Sequence, residues 1–339
     1  MTKSKAPLLR VSPLDSAGCN AKLRARDLLT LLSGDASAIG LLASDSVPTS
    51  KSQDLLFTVD TILPVTRKPE NFGRIGVLHA LNDLLAEGAS PEDICVSYGF
   101  DTAAIEDGCA NGIVAGAEAA IKEIGANVSK AHSFLSSDIS ISVAAIGRRK
   151  INRKVVSDGK SYAILLTKPL GAAMGCFLGE ISDDSALVEA SEQLMLQGHQ
   201  AILDILGNQC YHGTTDITGF GLVGHLACLA ARESLEIVIE EAAVPILPAL
   251  SRSSSTSNLR NCSAIRNHED FRNYWERKNK AQDLTDVMIF SGETSGPIAC
   301  LVESSEKDQI LNNLIELGFP AASWIASVER APTGKVIIQ

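Results

Sequence analysis

Residues 213–226, GTTDITGFGLVGHL, constrain the fold more than any other stretch of this chain. A short β-branched run ends at Asp216, and Gly219, Gly221 and Gly224 follow closely. Such residues build a strand, a tight turn and a helix, because the glycines let another backbone or a phosphate approach closely. Asp216 heads that turn, where a carboxylate can hold a metal while the N–H groups of a helix end face an anion. Close packing alone would use the same glycines, so spacing leaves both readings open.

Around this stretch the periodicity alternates between strand and helix. LRARDLLTLLSG reads as a helix with a glycine stop, and DLLFTVDTILPV (54–65) as a strand running into Pro64. Residues 69–87 predict a helix opened by Pro69, with Ile75, Leu78, Leu81, Leu84 and Leu85 on one apolar face. EDICVSYGF predicts a strand, 103–124 one long helix rich in small residues, and ISISVAAIG (139–147) a β-branched strand. A polar, basic segment at 148–160 interrupts the pattern. SYAILLTKPLG then reopens with a strand and a turn, 184–207 is helical, and LEIVIEEAAVPIL (235–247) is a strand leading into an extended piece. SRSSSTSNLRN (251–261) reads as a Ser-rich loop, and the C-terminal stretch as strand, helix, strand, strand. Regular βαβ repetition is missing, so the expected class is α+β in two domains. We expect 1–52 to be an arm and lead-in, 53–155 the N-terminal domain and 156–339 the C-terminal α+β sandwich.

The length of 339 residues suits two cores. A net charge of −10 without a Lys/Arg block argues against nucleic acid, and the run Arg148-Arg149-Lys150 with Arg153 and Lys154 reads as a solvated linker. An acidic protein that binds polyphosphate must mask its own carboxylates, which divalent metal does. Eight cysteines show no CxxC pair, and Cys95 and Cys300 in apolar runs read as reduced core residues. No apolar run approaches membrane-spanning length and no signal-peptide pattern opens the chain, so the expectation is a cytoplasmic protein without a membrane partner.

Four aspartates punctuate these elements: Asp45, Asp60, Asp83 and Asp216. Asp60 stands out because it lies inside the apolar strand FTVDTIL, where an unpaired charge is costly. His79 precedes Asp83 by one helical turn, which fits either a metal-ligand pair or a surface contact. In SAGCNAKL, Cys19 three residues before Lys22 fits either an arm closing over a site, with the lysine lowering the thiol pKa, or an unstructured tail.

The wording TDITGFGLVGHL resembles a segment characteristic of selenophosphate synthetases (selenide, water dikinases), in the ATP-binding superfamily that includes aminoimidazole ribonucleotide synthetase. VDTILPVTRKPENFGRIGVLHALNDLLAEGA is similar to the family's block from a TD dipeptide through P-x-x-FGRI to N-A-x-S-D. LLTKPLG (165–171), KAHSFLSSDISISVAAIG, NLRN (258–261) and SGETSGP (291–297) resemble further family segments. The resemblance implies that Asp45, Asp83 and Asp216 bind magnesium. It also implies that Leu42, Ala43, Ser44, Asp60 and Asp83 contact ATP, and that Ala131, His132 and Ser133 lie near its phosphates. Cys19 falls on the redox-active position and Lys22 on the essential lysine, which also contacts ATP. The chain departs from the pattern at His79, where the family has Asn, at Lys130-Ala131, where it has glycines, and at Ser291-Gly292 and Pro297.

The resemblance implies a ferredoxin-like N-terminal domain that pairs with its copy in a barrel-like sheet, hence a homodimer. It implies ATP and magnesium as cofactors, selenide as substrate, and the reaction ATP + selenide + water → selenophosphate + phosphate + AMP. Three other readings stay open on the sequence: an ATP-dependent enzyme of the same fold with another small acceptor, a divergent paralogue that binds nucleotide or a partner, and a redox sensor built on Cys19.

Overall fold

Burial on one face or on two decides how each strand of this chain reads, and the two halves differ in that respect. The computed structural model describes residues 9, 17–18, 22–33, 42, 46–49, 52–208, 211–252, 262–281 and 283–339. In the first half, helix α1 (Ala25–Ser33) is followed by strands β1 (Val47–Thr49) and β2 (Ser52–Ile62), helix α2 (Pro69–Ala86) and strand β3 (Ala89–Phe100). Helices α3 (Thr102–Glu106) and α4 (Cys109–Ile124) lead to β4 (Asn127–Leu135) and β5 (Ser140–Arg149). The strands form one sheet in the order β1-β2-β5-β3-β4. β3 and β4 run parallel across the α4 connection, and β5 returns antiparallel between β2 and β3.

One long helix was the expectation for 103–124, and the structure divides it. Asp101 caps α3 by accepting from Ala104 N at 2.7 Å, and Gly108 then adopts φ +87° to restart the chain as α4. A left-handed backbone there suits glycine and ends the helix. Cys95 also departs from expectation: strand alternation turns it to the exposed side of β3, whereas Cys300 is buried.

The second half contains β6 (Tyr162–Leu166), α5 (Ala172–Ser182), α6 (Ser185–Leu196), α7 (Ile202–Asn208), β7 (Tyr211–Asp216) and α8 (Gly221–Glu233). β8 (Leu235–Ile239), α9 (Pro248–Ser251), α10 (Cys262–Asp270), β9 (Trp275–Arg277) and α11 (Asp283–Phe290) follow. β10 (Ile298–Glu303), α12 (Lys307–Glu316), β11 (Ser323–Arg330) and β12 (Lys335–Ile338) complete the chain. Their sheet has the order β7-β10-β6-β11-β8-β12-β9. Helices cover it on both sides: Ile164 and Leu166 of β6 join the core with α8, while Leu165 joins one with α7 and α12. Burial on both faces explains why YAILL is apolar without alternation. The continuous helix expected over 184–207 is instead α6 and α7, separated around Gly198.

Helix α2 joins the halves. Sequence periodicity gave it one apolar face, but every position from Ile75 to Ala86 is buried. It lies on the first sheet and against α4, and its other side meets α6 and β7. Glycines permit that approach: a Cβ on Gly73 would stand 2.0 Å from the Ile113 carbonyl oxygen, and one on Gly116 2.0 Å from that of Glu70. The N-terminal stretch also touches both halves. Leu9 N donates to Arg67 O at 2.8 Å, whereas Arg24 binds Asp270 at 2.6 Å and Leu29 enters the second core. The basic linker carries little free charge, since Arg148 pairs with Glu92 at 2.7 Å and Arg153 with Glu233 at 2.9 Å.

Candidate functional site

The two halves meet around a cleft of about 330 Å³. Strand β2 sends Thr58 and Asp60 into it from alternate positions on one face, and α2 brings Asp83 from the next layer. The end of β7 supplies Asp216, the turn after it Thr218, and α8 His225. Lys22 reaches in from the N-terminal stretch, its Nζ 4.5 Å from the centre of the Phe220 ring. The strand–turn–helix that opened the sequence reading is therefore the floor of the cleft. Its glycines serve packing: Gly221 has φ +68°, and a Cβ there would lie 2.8 Å from the Phe290 carbonyl oxygen.

Asp216 is 1% exposed, and its Oδ2 has no hydrogen-bond partner among the described residues. Burial pushes its carboxyl up to about 7, and the charge of Asp60 adds to that, while Lys22 and Lys168 oppose it. Asp83 accepts a short hydrogen bond from the Thr58 hydroxyl. His225 Nε2 accepts from Thr218 N at 3.2 Å, which leaves its proton on Nδ1 facing Thr215 Oγ1 at 3.4 Å. Burial, then Lys22, holds this imidazole neutral, well below its ordinary pKa.

The carboxylates of Asp60, Asp83 and Asp216, one of them with a buried oxygen that has no partner among the described residues, fit a hard divalent cation such as magnesium. Among the described residues no three acidic, histidine or cysteine side chains stand close enough to form a ready cage. Magnesium needs none, because it keeps several waters and takes one or two carboxylates together with phosphate oxygens. Asp83 and Asp216 would be those carboxylates.

Of the residues marked in the sequence, Lys22, Leu42, Asp60, Asp83 and Asp216 share this cleft. Cys19, Ala43, Ser44 and Asp45 lie outside the described residues. Ala131, His132 and Ser133 are on β4, at the opposite edge of the first sheet, where they line a separate groove with Tyr98 and Phe100. Within one chain they do not reach the cleft. His79 faces Asp60 Oδ2 at 3.5 Å, not Asp83. Its Nδ1 is occupied by Ser295 N at 3.1 Å, so the metal-ligand reading of the His79–Asp83 pair has no geometric support.

Sequence reasoning missed Thr58, Thr218 and His225. It also missed a buried layer behind the cleft. Lys168 Nζ donates to the carbonyls of Leu194, Gln197 and Ser295 at 3.1, 3.0 and 2.7 Å, and burial pushes its ammonium down to about 7. Glu293 accepts from the backbone amides of Gly171 and Ala173 at the start of α5, and burial pushes it up to about 7. The only signal for either was its place in the segments LLTKPLG and SGETSGP.

Residues 34–149 match the AIR synthase related protein, N-terminal domain, and 162–339 match the AIR synthase related protein, C-terminal domain. The chain belongs to the AIR synthase related family. A selenide, water dikinase from Pelobacter propionicus is 25% identical over 339 residues, covering 95% of this chain and 96% of the relative. Relatives of the same name from other bacteria are 23–29% identical. Among solved structures, thiamine monophosphate kinase from Aquifex aeolicus superposes with a TM-score of 0.64 at 16% identity, covering 92% of this chain and 94% of that one. A HypE–HypF complex contains a chain with TM-score 0.62 at 15% identity, covering 92% and 94%. These likenesses establish the AIR synthase-like α+β fold. Among the described residues no helix is long and apolar enough to cross a membrane.

Proposed function

We propose that this protein is a selenide, water dikinase that carries out ATP + selenide + water → selenophosphate + phosphate + AMP. The observation that carries the reading is the convergence of Asp60, Asp83, Asp216 and Lys22 on one cleft between the two halves. The shared name of its curated relatives supports an ATP-using transferase and points to selenide as the acceptor. Asp83 and Asp216, with Asp45, would hold magnesium, which supplies charge neutralisation on the triphosphate. Asp60 and the Leu42–Ser44 backbone fix the nucleotide. Lys22 neutralises the transferring phosphoryl group, and its contact with Phe220 keeps the ammonium directed into the cleft. Phosphoryl transfer is governed by positioning and charge, which suits a site of this composition. Cys19, three residues before Lys22, delivers or protects the selenide.

We further propose a homodimer built on the first sheet, with the arm and the two domains divided near residues 52 and 155. Phe57 and Val59 of β2 and Val128 and Phe134 of β4 are exposed apolar residues on that sheet. Ala131, His132 and Ser133 would then serve a nucleotide held by the other copy, since they cannot reach their own cleft. The cytoplasm is the proposed compartment.

A second reading is a same-fold kinase with another acceptor, favoured by the likeness to thiamine monophosphate kinase. Chromatographic analysis of nucleotide products, with and without selenide, separates the two. Selenide-dependent AMP that fails in Lys22→Ala and Cys19→Ala supports the dikinase. ADP formation indifferent to selenide would reject it in favour of the second reading.

A further inference from the structure

His79 is fully buried on α2, yet only one of its two ring nitrogens has a hydrogen-bond partner among the described residues. Nδ1 accepts the amide hydrogen of Ser295 at 3.1 Å. A ring proton cannot occupy that nitrogen as well, so the neutral imidazole carries its proton on Nε2. Nε2 stands 3.5 Å from Asp60 Oδ2, slightly too far for a full hydrogen bond. An orphaned buried donor is expensive, and a leucine of similar volume would fill the same space without that cost.

Ser295 itself is fixed from the second half. Its backbone is left-handed, with φ +46°, and its carbonyl accepts from Lys168 Nζ at 2.7 Å. The ammonium is anchored in turn on Leu194 O and Gln197 O. A polar path thus runs from Lys168 through Ser295 to His79, with Asp60 3.5 Å beyond, crossing from one half of the protein to the other.

We propose that His79 is a positioning residue whose Nε2–H is held ready for the Asp60 carboxylate, with its orientation set across the interface by Ser295 and Lys168. A small shift of Asp60 toward α2 closes the bond. Nε2 acts as a donor only, because a nitrogen that bears a proton cannot ligate a metal. The consequence for nucleotide binding rests on the reading of the cleft as an ATP site, whereas the effect on Asp60 does not.

The test compares His79→Leu, which removes the donor, with His79→Gln, which keeps an N–H near the Nε2 position. In the ligand-free protein, nitrogen NMR of the His79 ring should show the neutral Nε2–H tautomer. The carboxyl carbon resonance of Asp60, assigned with Asp60→Asn, should move in the Leu variant and stay near the native position in the Gln variant. Titration with ATP and magnesium should show affinity weakened about tenfold by Leu and much less by Gln, the loss expected for one hydrogen bond to a charged group. An Nδ1–H tautomer, or an Asp60 resonance unmoved by Leu, would overturn the proposal. If Leu does not fold, the native tautomer and the Gln response still decide. A native protein that shows the Asp60 response yet binds no ATP would refute the nucleotide reading and leave the positioning role standing.

Discussion

Replacing Asp216 by Asn should make the metal-free protein more stable, by an amount that grows with pH. The carboxylate is 1% exposed, and its Oδ2 has no hydrogen-bond partner among the described residues, so its ionised form is costly inside the fold. Its pKa rises from 3.8 to about 7 on folding. With the folded value above the unfolded one, the contribution is fully present below about pH 4 and is lost as pH rises through about 7. Three units at about 1.4 kcal/mol each set a ceiling of about 4 kcal/mol on the loss. An Asn amide must itself find partners, so we expect a net gain of about 1–3 kcal/mol for the variant at about pH 8 and none at about pH 4. Glu293 titrates in both proteins and cancels in the difference, whereas Lys168 loses the Asp216 charge that favours its ammonium and deprotonates more readily in the variant. Denaturant unfolding at several pH values, without divalent ions, measures the effect. Magnesium with ATP at about 100 times its dissociation constant should then add about 2.7 kcal/mol to the native protein only. A variant less stable than the native protein at about pH 8, or a difference independent of pH, would refute the reasoning.

Thr58→Val removes the hydroxyl that donates to Asp83. The loss of a hydrogen bond to a charged group, about 1.5–3 kcal/mol, should weaken magnesium–ATP binding about 10- to 100-fold in a calorimetric titration. Lys22→Ala should lower turnover by about 10²–10³ with a smaller change in ATP affinity, because its charge is needed most at the transferring phosphoryl group. Gly116→Ala should destabilise the fold by about 1–3 kcal/mol in thermal unfolding, since the new methyl meets the Glu70 carbonyl at 2.0 Å. His199 lies fully buried between Thr167 at 2.9 Å and Asn82 at 3.0 Å, and burial holds it neutral, well below its ordinary value. Its stabilisation is present above about pH 6.5 and lost as pH falls, so His199→Gln should flatten the acid side of the stability profile.

The sequence disclosed strands and helices wherever burial was one-sided, and the apolar run of β6 where it was two-sided. It misjudged α2, because periodicity reports which residues avoid water and not how many partners a helix has. Ile75, Leu78 and Leu81 pointed to one face, yet His79 and Asn82 are buried against a second set of elements, where they meet Ser295 and His199. The small break between α3 and α4 hung on Gly108 and on Asp107, whose carboxylate accepts from Cys109 N at 2.9 Å. In the site, Asp60 was legible as a charge inside an apolar strand and Asp216 as the carboxylate heading a Gly-rich turn. Thr58 and Thr218 were not, because a hydroxyl in a strand or turn carries no signal until its partner is known. Lys168 and Glu293 were invisible for a related reason. Their neutralising contacts are backbone amides and carbonyls distant in sequence, which no residue pattern encodes.

The most direct test is phosphorus NMR of the purified protein with ATP, magnesium, potassium and selenide under anaerobic reducing conditions. The account predicts selenophosphate, phosphate and AMP appearing together, with all three absent when Lys22 or Cys19 is replaced by Ala. ATP left intact by a protein that demonstrably binds it, or AMP formed without selenophosphate, would contradict the account.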